Sequence, residues 1–179
     1  MRLTSRTLLL CLILSLYCAL STAASPALTA PKPPIGILSL DGRPAPPLRL
    51  KDMDGKEIDL AKLKGHWVLV HFWASWCGPC RREMPTLAQL MQHLPMAGLR
   101  VILVNTAETD DEVFTFLASV APELSTYMDR DGLVTERWQP RGLPSTFFVD
   151  PQGRLRFLAL GGRDWTAGPF QEFLRNLPP

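Results

Sequence analysis

The spacing of apolar positions changes several times along the chain, and each change predicts an element. Leu48 to Lys51 and Glu57 to Leu60 flank the turn dipeptide Asp54-Gly55 and read as a small hairpin covering a sheet edge. Trp67 to Trp73 is apolar throughout except at His71, the pattern of a strand buried on both faces and central to a sheet. From Cys77 onward Met84, Leu87, Ala88 and Met91 recur at helical spacing, with Pro85 placed to kink the helix. Leu99 to Val104 is a second buried strand.

The next stripe, Val113, Phe116, Leu117 and Val120, predicts a helix capped by Asp110 or Asp111 and ended by Pro122. Ser125 to Met128 reads as a short strand, followed by Asp131-Gly132 and a brief helical stretch to Trp138. Ser145 to Val149 and Leu155 to Leu160, joined by turn residues Pro151 to Gly153, predict an antiparallel pair. Phe170, Phe173, Leu174 and Leu177 give a terminal helix one apolar face. The order β-α-β-α-β-α-β-β-α implies an α/β three-layer sandwich with a mixed sheet.

Two segments precede this pattern. Arg2 and Arg6 stand before the apolar run Leu8 to Leu20, and Ser21 to Ala24 are small, so residues 1–24 read as a signal peptide or a retained membrane anchor. Residues 25–45 are rich in proline and poor in large apolar side chains, which predicts a stiff linker; the proline run continues to Pro47. The domain proper is then 46–179. At 179 residues there is room for one domain with a real core.

The formal charge of +2 resides in Arg2 and Arg6, because beyond them basic and acidic residues balance at 17 each. A neutral body argues against nucleic acid as a partner. Of four cysteines, Cys11 and Cys18 lie in the apolar run, where they read as small hydrophobes; the bulky Tyr17 disfavours lipidation of Cys18. Removal of that segment leaves only Cys77 and Cys80, in a compartment where disulfides persist.

Trp76-Cys77-Gly78-Pro79-Cys80 is the strongest chemical signal. Two intervening residues at the first turn of a helix let the sulfurs join and part with little backbone motion. Cys77, at the positive end of the helix dipole, is the expected nucleophile, with Arg81 and Arg82 adding to the field. Cys80, one turn inside, is the expected resolving thiol. A zinc site wants four ligands, and the chain offers no second cysteine pair beside His66, His71 and His93. A copper-carrying module using two thiolates and one histidine is the alternative from another class. There is no phosphate-binding glycine loop, no Ser-His-Asp order, and no peroxidase motif ahead of Cys77.

From about Ala45 onward the chain resembles the thioredoxin superfamily, and within it the TlpA-like and ResA-like exported reductases. The resemblance rests on Val68 to Cys80, Met84-Pro85, Val104 to Glu108, and Gly142 to Phe148, in that order. It implies a thioredoxin-like fold with an insertion between the second strand and Gly142. It also implies a protein-disulfide reductase that needs no cofactor or metal. Its substrates would be disulfides of exported proteins, such as apocytochrome c or a cuproprotein with a cysteine pair. Its electron donor would be a membrane thiol carrier, and its location periplasmic or otherwise extracytoplasmic, with a tether to the inner membrane if the first segment is retained.

The resemblance makes Pro144 a cis proline facing the cysteine pair and places Trp76, Gly78, Pro79, Leu143 and Pro144 on the substrate side. It puts Glu108 where an acid can relay a proton to or from Cys80; the plainer reading is a solvated loop acid beside Asp110, Asp111 and Glu112. His71 departs from the pattern, since thioredoxins often carry aspartate there and many exported relatives asparagine. A neutral histidine hydrogen-bonded in the core is the plain reading, and a proton shuttle the other. His66 and His93 read as surface residues. Gly78-Pro79 favours the reducing direction.

Overall fold

The computed structural model describes residues 31–94 and 98–178. The segment 1–24, expected as a signal or anchor, lies outside the described residues, as do linker residues 25–30.

Among the described residues eight strands form one sheet in the order β1-β8-β7-β4-β5-β6-β2-β3. They are β1 (Ile37–Ser39), β2 (Arg49–Asp52), β3 (Glu57–Asp59), β4 (Trp67–Trp73), β5 (Leu99–Thr106), β6 (Tyr127–Asp129), β7 (Ser145–Val149) and β8 (Leu155–Leu160). The helices among the described residues are α1 (Gly78–Gln92), α2 (Asp110–Val120), α3 (Leu133–Trp138) and α4 (Gly168–Arg175). β4 pairs in parallel with β5 and antiparallel with β7, so the sheet is mixed and β4 is central, as its apolar run predicts. The fold is thioredoxin-like.

Alternation along β4 sends its side chains to two cores. Val68, Val70 and Phe72 join Val134 and Trp138 of α3 together with Leu48 and Leu60 of the hairpin region. Phe72, Trp138 and Phe147 meet there with ring centroids 5.2 to 5.9 Å apart, mostly edge to face, an arrangement their quadrupoles favour. On the opposite face Trp67 stacks on Phe157, and Trp73 packs on Phe116 of α2. Phe173 of α4 lies against Phe148 and Phe157. His71 faces this second core, beneath α1.

Three local expectations need correction. The proline-rich segment expected as linker through residue 45 carries β1, which pairs with β8 along Ile37↔Ala159 to Ser39↔Phe157. Pro44 also bridges to Arg154. The order there comes from backbone hydrogen bonds offered by an open sheet edge, which side-chain composition does not register. Asp110 and Asp111 do not cap α2: Thr109 is the N-cap, in a capping box with Glu112. The second hairpin strand stops at Asp59, whose carboxylate accepts from the Ala61 N–H and turns the chain into a 3-10 turn, Leu60–Leu63.

The hairpin itself does more than cover an edge. β2 pairs with β6, so the hairpin extends the sheet through the strand that the insertion supplies.

Candidate active site

The site forms where β4 runs out and α1 begins. After Trp73 the buried chain turns at Ala74, whose carbonyl accepts from the Cys77 N–H at 3.2 Å. Cys77 has extended backbone angles and is the N-cap of α1, with Pro79 in the first turn, where its missing N–H removes no helix bond. The two cysteines are joined in a disulfide with Cα atoms 5.2 Å apart. The Cys80 N–H points at the Cys77 sulfur, 3.2 Å away.

Exposure divides the motif. Trp76 is 71% exposed and Cys77 5%, whereas Cys80 is fully buried. Gly78 and Pro79 are exposed. The open surface around the disulfide is therefore made by Trp76, Gly78 and Pro79, with Cys77 at its edge and Cys80 beneath it. The guanidinium of Arg81 lies 4.6 Å from the ring centroid of Phe116 on α2, which directs this charge along the flank of the site.

The other expected site residues come from distant stretches. The Leu143-Pro144 bond is cis. Because Ser145 pairs with Phe72, the register sets Pro144 at the same sheet end as Cys77. Its carbonyl accepts from the Gly161 N–H at 2.9 Å. Glu108 is buried and grips the loop before Cys77: its Oε2 accepts from the Ser75 N–H at 2.7 Å and from Asn105 Nδ2 at 2.6 Å. Its Oε1 accepts from the Ser75 hydroxyl. Glu108 is thus a bonded acid inside the fold and not a solvated loop residue, and its bonded partners are Ser75 and Asn105.

Sequence reasoning missed three contributors. Glu83, on the same face of α1 as Cys80 and one turn further in, is buried. Its Oε2 accepts from the Arg163 N–H and from Trp165 Nε1, both at 3.1 Å. Burial pushes its carboxyl up to about 7. His71 Nε2 stands 3.3 Å from Glu83 Oε1, and its Nδ1 is 2.8 Å from Thr146 Oγ1. Burial, with the nearby Arg163 charge, holds this imidazole down at about 3, so His71 stays neutral and forms no ion pair with Glu83 near neutrality. A signal for Glu83 was present: it falls on the apolar stripe Cys80, Met84, Leu87 of an amphipathic helix.

The other two contributors are Gly162 and Arg163, in the loop after β8. Gly162 lies against Pro79, and a 300 Å³ cleft opens there, lined by Pro79, Arg82, Glu83, Thr86, Arg163 and Asp164. Arg163 Nη2 donates to the carbonyls of Leu160 and Gly36, tying the loop to the chain ahead of β1. Loop residues of this kind carry no periodic signal.

A disulfide at a helix N-terminus, one cysteine at the edge of the surface and the other sealed, with a cis proline at the same sheet end, is the arrangement of a dithiol-disulfide exchange site. Residues 42–158 match the family model described as the AhpC/TSA family. The chain belongs to the AhpC/TSA family. Within it, the chain is 33% identical over 144 residues to the thiol-disulfide oxidoreductase ResA of Bacillus subtilis, covering 80% of this chain and 78% of ResA. It is 29% identical over 124 residues to ResA of Bacillus cereus, covering 69% and 70%. Among solved structures it is similar to a DsbE-type thiol:disulfide interchange protein of Chlorobium tepidum, with TM-score 0.67 and 28% identity over 76% of this chain and 96% of that one. The thioredoxin domain of a Bacteroides vulgatus thiol-disulfide oxidoreductase gives TM-score 0.61 at 25% identity, covering 75% and 92%. This AhpC/TSA member is a thiol-disulfide oxidoreductase of the thioredoxin superfamily.

Among the described residues of this oxidoreductase, no group of three or more His, Cys, Asp or Glu is arranged to hold a metal. Both nitrogens of His71, the histidine nearest in sequence before the pair, face Thr146 and Glu83.

Proposed function

We propose that the protein works as a reductase of disulfides in exported proteins. The supporting observation is the division of labour in the cysteine pair: Cys77 is the edge-exposed N-cap whose sulfur receives the Cys80 N–H, and Cys80 is sealed. Once the bond between them opens, that N–H and the helix N-terminus stabilise a thiolate on Cys77.

The Cys77 thiolate attacks one sulfur of a substrate disulfide, expelling the other as a thiolate and forming a mixed disulfide. Cys80, deprotonated, then attacks the Cys77 sulfur, releasing the second substrate thiolate and restoring the Cys77–Cys80 bond. Two electrons pass to the substrate. A membrane thiol carrier returns them, since an oxidising compartment does not. The export reading of residues 1–24 favours an extracytoplasmic location, and the names of the ResA and DsbE relatives agree with thiol-disulfide exchange of this kind. Exported proteins with a cysteine pair, apocytochrome c or a cuproprotein, are the substrate class by resemblance.

In this reading Trp76, Gly78 and Pro79 meet the substrate, Leu143 and Pro144 offer backbone groups to an extended peptide, and Glu108 sets the loop that carries Cys77. The test is reduction of a disulfide-bonded protein with a dithiol as electron source. Turnover that persists in chelator and is lost in Cys77→Ser supports the reading, and Cys80→Ser should accumulate the mixed disulfide. Turnover unaffected by Cys77→Ser contradicts it.

A further inference from the structure

The buried pair His71 and Glu83 has a hydrogen-bonding pattern that admits two complete states. Glu83 Oε2 is committed as an acceptor to two N–H groups, of Arg163 and Trp165. Oε1 has His71 Nε2 3.3 Å away, outside hydrogen-bond geometry, and neither atom has a hydrogen-bond partner in this structure; a small turn of either side chain brings the two into a bond. The far nitrogen, Nδ1, meets a hydroxyl, which can donate or accept. With Glu83 ionised, Nε2–H donates to Oε1 and the Thr146 hydroxyl donates to Nδ1. With Glu83 protonated, Oε1–H donates to Nε2 and Nδ1–H donates to Thr146. With Nε2 and Oε1 brought into bonding geometry, every polar atom of the pair is satisfied in both, whereas apart the two stay buried and unpaired.

We propose that His71 is a tautomeric partner of Glu83, letting a buried acid one helical turn from Cys80 gain or lose a proton with no polar atom left stranded and no imidazolium formed. The inference rests on the dithiol-exchange reading, and it assigns His71 a positioning role. Proton uptake balances as follows: the Nε2 hydrogen passes to Oε1, and the entering proton resides on Nδ1. The proton matches the one that Cys80 gives up on ionising, so that negative charge on Cys80 and on Glu83 need not coexist in one buried site. The other charged group facing the pair is Arg163, on the loop after β8; β7 contributes the neutral Thr146. An asparagine at position 71 would have to flip its amide to follow Glu83, and an aliphatic residue could not follow at all.

The test is nitrogen NMR of the histidine rings in the full chain, oxidised and reduced, across pH. His66→Gln, at a half-buried position, and His93→Gln, at an exposed one, identify the His71 signals by elimination. The expected result is a ring that stays neutral, Nδ1–H at low pH and Nε2–H at high pH, with its midpoint near the Glu83 value of about 7 in the oxidised protein. Reduction should move that midpoint upward once Cys80 ionises. Glu83→Gln should lock one tautomer at all pH. A single tautomer in the wild type at every pH, an imidazolium at neutral pH, or identical midpoints in the two redox forms would overturn the proposal. Loss of reversible Cys77–Cys80 exchange would instead defeat the functional reading and leave the tautomer result standing.

Discussion

A methyl group added to Gly162 would stand 2.9 Å from the carbonyl oxygen of Pro79 and 3.3 Å from its carbonyl carbon. The loop after β8 is therefore pressed against the dipeptide that separates the two cysteines. It has little room to retreat, because the Arg163 N–H is bonded to Glu83 and the Trp165 N–H to Thr86 Oγ1.

Gly162→Ala must displace the Pro79 backbone, since the contact is to main chain and not to a flexible side chain. The expected result is exchange slowed about tenfold, equivalent to about 1.4 kcal/mol. Stopped-flow measurement of mixed-disulfide formation checks it; unchanged kinetics would mean the loop does not set the dipeptide.

Glu108 holds Ser75 through both carboxylate oxygens. Glu108→Gln can keep its carbonyl oxygen on the Ser75 and Asn105 N–H groups only by turning the Ser75 hydroxyl from donor to acceptor and by giving up two charge-assisted bonds, so a loss of about 1 kcal/mol in stability is expected. If the loop also tunes the pair, the pH profile of Cys77 and Cys80 alkylation shifts in the variant. Denaturant unfolding and a thiol titration read the two effects separately, and an unchanged thiol profile would remove Glu108 from the site's chemistry.

The two buried titrating groups pull stability in opposite directions. Glu83 is raised from 4.5 to about 7, so the folded state binds the extra proton, and this contribution is lost as pH rises between those values. His71 is lowered from 6.5 to about 3, so the unfolded state binds the extra proton, and this contribution is lost as pH falls between those values. From about pH 4.5 to 6.5 the two slopes cancel. Glu83→Gln leaves the histidine slope alone, and unfolding free energies of the variant should rise relative to wild type by about 1.4 kcal/mol per pH unit across that window. Parallel curves for the two proteins would contradict the burial argument.

Trp76 is the large apolar side chain that the site leaves open. Trp76→Ala should raise KM for a protein disulfide severalfold while leaving the rate with a small disulfide unchanged, because it removes contact area and no reacting group. Equal losses with both substrates would place Trp76 in the chemistry instead.

The sheet and its helices were legible in the sequence because their apolar periods are unmixed: β4 reads as a buried strand and α1 as an amphipathic helix beginning at Cys77. The redox pair was legible for the same reason, a motif sitting at a strand-to-helix junction. β1 was hidden because an edge strand takes its order from β8's backbone. The cap of α2 was misassigned because Thr109 and the two aspartates after it are all good caps, and only Thr109 has Glu112 three residues on. His71 was visible as an anomaly, but its partner Glu83 lies on another element, and Gly162 meets Pro79 only in three dimensions. Contacts between distant loops leave no pattern along a chain.

The central claim is that Cys77 and Cys80 form a reducing dithiol. The equilibrium reduction potential of this pair in the full chain, titrated against glutathione or dithiothreitol, tests it most directly. The account predicts a value on the thioredoxin side of the scale, near about −270 mV, as expected of a protein that gives electrons to exported disulfides. A value near about −120 mV, that of a disulfide donor, would contradict it.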